Sequence, residues 1–220
     1  MAFRSPPAIV QRVLRFKAIQ HREGGVFLWG IPCFISQLYI YVYLQRLLEE
    51  EMGARKTASI LYHLGYFQAK EGMRMVSERF GYAKSMPDKK KLMEFNMGQT
   101  EMVGLGSFKC VRMDPGEGIF IFRGKSTIAG EYKRFFGIQK HPLDHILRGM
   151  GSIMAEMFTN KKCFCAETQC IAQGKQYCEF MVKPADKWDR NDPLYKTQKI
   201  DPVKSMKELG AKIEPYIISL

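Results

Sequence analysis

Residues 165–180 read CAETQCIAQGKQYCEF and hold three of the chain's six cysteines, with Glu167 three residues before the second of them. Cys163 to Thr168 and Tyr177 to Val182 have the composition of two β-arms, and Gly174 lies in the connection between them. One thiol falls where the first arm ends and another where the second begins, so the hairpin brings both sulfurs, and an acid, to the same end. Thiols and a carboxylate crowded in this way need either a shared cation or a packed interior, and the rest of the fold must supply one or the other.

The rest of the chain is long enough to do so. Its 220 residues, 46% hydrophobic and 12% aromatic, suffice for one substantial core, and fourteen methionines suit adaptable apolar packing. The net charge of +12 permits an anionic partner, but no nucleic-acid-binding motif accompanies it, so nucleic acid is not expected. Arg12 and Arg15 interrupt any N-terminal apolar run that could serve as an export signal. The most apolar stretch, Val26 to Leu44, contains Pro32, Ser36 and Gln37 and reads as core, with no transmembrane segment. These features predict a cytoplasmic protein whose cysteines are reduced thiols or metal ligands.

Periodicity divides the chain into three segments. A basic helix over Ala8 to Gln20 marks residues 1–24. Residues 25–183 form the main domain. It opens with a short strand over Val26 to Trp29 and a helix stopped by Gly53. A second long helix runs from Ala54 to Phe80 and ends at Gly81, and a third starts near Pro87. After Gly104-Leu105-Gly106 the period changes to two, with strands over Phe108 to Met113 and Ile119 to Arg123 separated by the turn Asp114 to Gly118. His141-Pro142 opens a helix with an apolar stripe through Leu143, Ile146, Met150, Met154 and Met157, and the cysteine hairpin follows. Residues 184–220 read as a polar linker, Pro184 to Pro193, and a helix over Pro202 to Ile213.

Glu167, Cys170 and Cys178 supply three of the four ligands that a structural zinc takes. At ~100° per residue, Asp144 lies on the flank of the preceding helix's apolar face and His145 points nearly opposite, toward water. Asp144 is therefore the first choice for a fourth ligand and His145 the second. Cys163 and Cys165 share Glu167's strand face and either could substitute. Nothing marks an open coordination position or a general base, so a zinc here reads as structural rather than catalytic. The alternatives are small buried thiols packed as core residues, or a redox pair at Cys163-x-Cys165.

The stretch Glu167-Thr-Gln-Cys170-Ile-Ala-Gln-Gly174-Lys-Gln-Tyr-Cys178-Glu-Phe180 resembles the 4-vinyl-reductase domain family, whose pattern is Glu-x2-Cys-x-Ala-x-Gly-x3-Cys-x-Phe; Pro142, Gly149 and the turn at Gly104-Leu-Gly106 resemble it more loosely. The resemblance covers Gly25 to Lys183. It implies an α+β fold of helices packed on a small antiparallel sheet, shared with subunits of the transport protein particle, with a zinc-clamped C-terminal hairpin and a tendency to form homodimers. It also implies a small-molecule-binding module akin to phenol-sensing activator domains. Those sensors hold zinc with the Glu, the two Cys and a further Cys, which map to Glu167, Cys170, Cys178 and, as a departure from the pattern, Asp144. They hold the phenol hydroxyl with a His before a Gly turn and a Trp at a strand end, where this chain has Met102 and Arg123. An apolar pocket with one Arg suits an amphipathic anion better than a phenol. Phe95, Phe120 and Phe122, with Tyr62, Tyr66 and Phe67, could line such a pocket or fill the core.

Three functions compete. The first is a sensor or regulatory module for a small apolar or amphipathic ligand, with a structural zinc tying the last core helix to the hairpin and a separate effector protein as readout. The second is a dimeric scaffold or tethering protein without a ligand. The third, reduction of a tetrapyrrole vinyl group, needs a hydride or electron donor, and the chain has neither a Gly-x-Gly-x-x-Gly motif nor a cluster-forming cysteine run. The first is the reading adopted.

Overall fold

The structure is a computed structural model that describes residues 19–200 apart from 23, 29–30, 34–35 and 81–84. Strands β1 (Ile19–Arg22), β2 (Gly25–Leu28) and β3 (Ile31–Cys33) form a small antiparallel sheet. Ile19 and Gln20, expected at the end of an N-terminal helix, pair instead in β1, and the remainder of that helix lies outside the described residues. Helix α1 (Leu38–Met52) stops where expected, at Gly53, whose φ of 83° is reached without strain only by glycine. Helix α2 (Ala54–Phe80) follows at once, and α3 (Met86–Met102) begins with a capping box in which Ser85 and Asp88 answer each other's backbone N–H.

The main sheet has the order β4-β5-β7-β6 and is antiparallel throughout, built from β4 (Gly106–Asp114), β5 (Ile119–Ser126), β6 (Cys163–Gln169) and β7 (Cys178–Pro184). Period-two alternation turns Phe120, Phe122, Phe180 and Val182 inward, all at most 3% exposed. Onto this face packs α5 (His145–Thr159), with α2 crossing behind it and α3 beside it. The helix α4 (Thr127–Phe136) was not anticipated; it starts directly from the last residue of β5, with Ser126 as its N-cap. No helix among the described residues is long and apolar enough to cross a membrane.

The α2–α5 crossing is set by two glycines. A Cβ on Gly149 would come within 2.0 Å of the Tyr62 carbonyl oxygen, and one on Gly65 within 2.1 Å of the Ile146 carbonyl oxygen. Backbones can approach so closely only where both side chains are missing. Around this contact Arg148 is buried, its guanidinium donating to the carbonyl oxygens of Cys165 (3.2 Å) and Gln198 (2.5 Å) and lying over the rings of Tyr62 and Phe164.

The stretch Pro184 to Pro193 is not a free linker. Trp188 (4% exposed) stacks on Tyr195 and donates through Nε1 to the Phe164 carbonyl oxygen at 3.2 Å. A short helix α6 (Pro193–Gln198) then delivers Gln198, whose side-chain amide pairs with both the N–H and the C=O of Glu167, each at 2.9 Å. One buried tryptophan and one glutamine outweigh the polar composition of this stretch. The helix expected over residues 202–213 lies outside the described residues.

Gly149→Ala and Gly65→Ala should each lower the melting temperature by ~5–10 °C, because overpacking costs ~1–3 kcal/mol and the neighbours here are backbone. Gly72→Ala, in the same helix α2 but with nothing within 4 Å of its added Cβ, should be neutral or stabilising. Thermal unfolding of the three variants checks the contrast.

Candidate metal centre

Asp144, Glu167, Cys170 and Cys178 converge: one ligand atom from each lies within 4.8 Å of the others, and no residue of the four is more than 1% exposed. Three local features produce this. A register shift between Glu167 and Gln169 ends the regular pairing of β6 with β7, so Cys170 leaves the strand beside Cys178, the first residue of β7. The connection returns through a 3₁₀ turn, Ile171–Gln173, closed by Gly174 at φ 86°. Asp144 is the N-cap of α5, with φ −80° and ψ 51°. It precedes the helix, so its place on a helical face does not explain its role; the end of α5 simply points at the mouth of the hairpin.

The hydrogen bonds divide each carboxylate in two. Asp144 Oδ1 accepts from the Ser126 hydroxyl at 2.5 Å, and Glu167 Oε2 accepts from the Asp144 backbone N–H at 3.2 Å. Asp144 Oδ2 and Glu167 Oε1 are buried with no hydrogen-bond partner. The Ile171 N–H donates to Cys178 Sγ at 3.3 Å. Burial pushes the Asp144 carboxyl up, and burial together with the Asp144 charge pushes Glu167 well up. Cys178 is raised by its hydrogen bond to Cys170, by burial and by the two acids, while the same bond lowers Cys170.

Burial thus disfavours the charged forms of both acids and of Cys178. The nearest buried cation, Arg148, spends its donors on Cys165, His145 and Gln198. Two orphaned carboxylate oxygens cost several kcal/mol unless a cation answers them. Two oxygens and two thiols at this spacing suit a tetrahedral divalent ion, with bonds of ~2.0–2.3 Å, after a contraction of under ~1 Å. The donor set therefore fits zinc.

The other sulfur and imidazole candidates do not join. His145 is not turned to water: it is 5% exposed, and burial and the Arg148 charge keep its ring neutral, so that Nδ1 accepts from Arg148. Helix α5 is enclosed on nearly every side, which a single apolar stripe does not reveal. Cys165 packs against Gly151, and Cys163 lies near Thr159 Oγ1 with its thiol pushed up to about 11 by burial. Neither is poised as a reactive thiolate.

A cavity of about 30 Å³ lies between α3, α5 and the inner sheet face, lined by Met97, Met150, Met154, Phe108, Phe122 and Phe180, with Leu147, Gly151 and Thr100 completing it. Of the five residues expected to bind a ligand, Phe122 lines it. Phe120 packs on Phe158, with ring centroids 5.2 Å apart. Phe95 and Met102 are half-buried on α3 and do not border the cavity. Arg123 is excluded by strand alternation: it faces out, pairs with Glu179 at 2.6 Å and lies over Tyr177. Phe180, the last residue of the hairpin motif, and the methionines of the α5 stripe were readable as core but not as cavity walls.

No protein-family model and no curated protein matches the chain. Solved structures match in fold. The phenol-responsive sensory domain of the transcription activator PoxR, solved with phenol, is 15% identical and superposes with a TM-score of 0.70, over 89% of this chain and 100% of that one. A vinyl-4-reductase family protein from Methanocaldococcus jannaschii is 16% identical, over 69% of this chain and 82% of that one, with a TM-score of 0.39. A trafficking protein particle complex subunit 3 from Naegleria fowleri, covalently bound to palmitic acid, is 12% identical, over 66% and 91%, with a TM-score of 0.46. The first establishes a shared fold across nearly the whole chain, helices on an antiparallel sheet as the hairpin motif implied. The other two superpose too loosely to add to it.

Cys170→Ser and Cys178→Ser should lower metal content and melting temperature together, from about one zinc per chain and by ~10 °C or more, because metal binding is coupled to folding. Elemental analysis alongside thermal unfolding checks this; full metal content with unchanged stability in either variant would remove that cysteine from the ligand set.

Proposed function

We propose that the chain is a sensor or regulatory module that encloses a small apolar ligand between α3, α5 and the sheet, with a structural zinc held by Asp144, Glu167, Cys170 and Cys178, and that it acts through a separate effector protein. The observation that carries the reading is the apolar cavity. Three methionines, Met97, Met150 and Met154, form much of its wall, and the polar side chain among its lining residues is Thr100, whose hydroxyl donates to the Asn96 carbonyl. At about 30 Å³ the cavity is well below the ~150 Å³ that accepts a benzene ring, so a ligand must displace side chains, and unbranched methionines move most readily. With Arg123 outside, the chemistry favours an apolar molecule with at most one hydroxyl over a fatty-acid anion. The shared fold with a phenol-responsive domain is compatible with this class.

A panel of phenols, alkylbenzenes and medium-chain fatty acids tests it by thermal shift. A cognate compound at ~100 times its Kd should raise the melting temperature by ~5–10 °C. Met150→Trp, filling the cavity, should abolish the shift and leave metal content unchanged. If no compound shifts the transition and native mass spectrometry finds no bound molecule, the reading fails.

One observation favours assembly as well. Helix α1 exposes Tyr39, Ile40, Tyr43, Leu44 and Leu47, each about half accessible, along one side. This supports a homodimer, the state the scaffold reading also needs. Leu44→Glu with Leu47→Glu should convert a dimer to a monomer in sedimentation velocity; an unchanged sedimentation coefficient would exclude α1 as the interface.

A further inference from the structure

We infer that Ser126 is a positioning residue of the metal centre: it holds Asp144 to a single free oxygen, so that the donor set is Asp144 Oδ2, Glu167 Oε1, Cys170 Sγ and Cys178 Sγ. The inference rests on the metal reading above and deepens it. Two carboxylates and two thiolates offer up to six donor atoms, whereas a tetrahedral ion takes four. Something must deny one oxygen of each carboxylate to the metal. For Glu167 it is the backbone N–H of Asp144, at 3.2 Å from Oε2. For Asp144 it is Ser126, whose Oγ lies 2.5 Å from Oδ1.

The direction of that hydrogen bond follows from the carboxylate, which as a ligand is ionised and only accepts. Ser126 Oγ accepts from the Ala129 backbone N–H at 3.1 Å as the N-cap of α4, and the residue is 3% exposed. The same oxygen thus accepts from the cap N–H while its hydrogen is donated to Asp144 Oδ1. The two oxygens left over, Asp144 Oδ2 and Glu167 Oε1, are the carboxylate atoms of the cluster that are buried without a partner. One donor per carboxylate thus reduces the site to two oxygens and two sulfurs. Such a mixed set accepts zinc, cobalt(II) or iron(II) at a tetrahedral site and disfavours magnesium and calcium, which want six or more oxygens.

Residues that hydrogen-bond a metal ligand and orient it typically contribute about 10–100-fold to metal affinity. The test uses cobalt(II) and the metal-free full chain, followed by the visible ligand-field bands and the near-ultraviolet thiolate-to-cobalt band. The wild-type protein should give the intense visible bands of a tetrahedral ion. Ser126→Ala should weaken cobalt binding about 10–100-fold and reduce the visible bands, as Asp144 turns or offers both oxygens, while the thiolate band per bound ion persists. Ser126→Gly keeps a tolerated N-cap but lacks the hydroxyl, and should behave like Ala even if the Ala variant folds poorly. Ser126→Thr keeps both and should restore affinity and spectrum. Wild-type affinity and spectrum in the Ala and Gly variants would overturn the role of Ser126 and leave the metal centre standing. Failure of the wild-type protein to bind cobalt(II) or zinc would overturn the metal centre itself.

Discussion

Helix α5 is the element on which everything else is placed, and its close contact with α2 is what places it. Gly149 against the backbone of Tyr62, and Gly65 against that of Ile146, let the two helices meet at a distance no larger residue would permit. That contact fixes the depth at which α5 lies on the sheet. Its N-terminal end then sets Asp144 at the mouth of the hairpin, while Met150 and Met154 on its middle turns face Phe122 and Phe180 across the cavity. The buried Asp–Glu–Cys cluster and the cavity are two regions of one helix–sheet interface.

Burial of charge governs the same region. Arg148 is enclosed by Tyr62 and Phe164 and satisfied by carbonyl oxygens rather than by a carboxylate. Glu167 lies on the neighbouring strand, and its backbone is gripped by Gln198 while its side chain faces Asp144 and the thiols. A buried cation and a buried acid therefore stand close without a direct ion pair, each held by hydrogen bonds to the frame. Such an arrangement leaves the buried acids and thiols of the cluster without a cationic side chain of their own, a role that a divalent cation would fill.

Much of this could be read from the chain. The hairpin motif gave Glu167, Cys170 and Cys178 through spacing alone, and Gly53 and the 3.6-residue period gave the long helices α1 and α2. The helical-face argument for Asp144 does not hold, because Asp144 is an N-cap; it reaches the cluster from the end of the helix instead. Helix α4 went unseen because Ser126 ends a strand and caps a helix at once, leaving no loop to announce the change. Arg123 and the true cavity walls were separated only by sheet alternation and by which strand faces which helix, and those are tertiary facts. Ser126 carries no local signal of its role either; its link to Asp144 spans 18 residues and exists only once β5 and α5 are side by side.

The outer strand β6 has a further consequence. At alternate residues its backbone is answered by side chains: the Cys163 N–H by Glu156, the Cys165 C=O by Arg148, and both groups of Glu167 by the amide of Gln198. A strand arriving from another molecule would find these positions already taken. The sheet is thus closed to extension along β6, and pairing with a foreign strand or edge-to-edge aggregation would have to begin at β4, where the irregularity between Cys110 and Arg112 already disturbs the ladder.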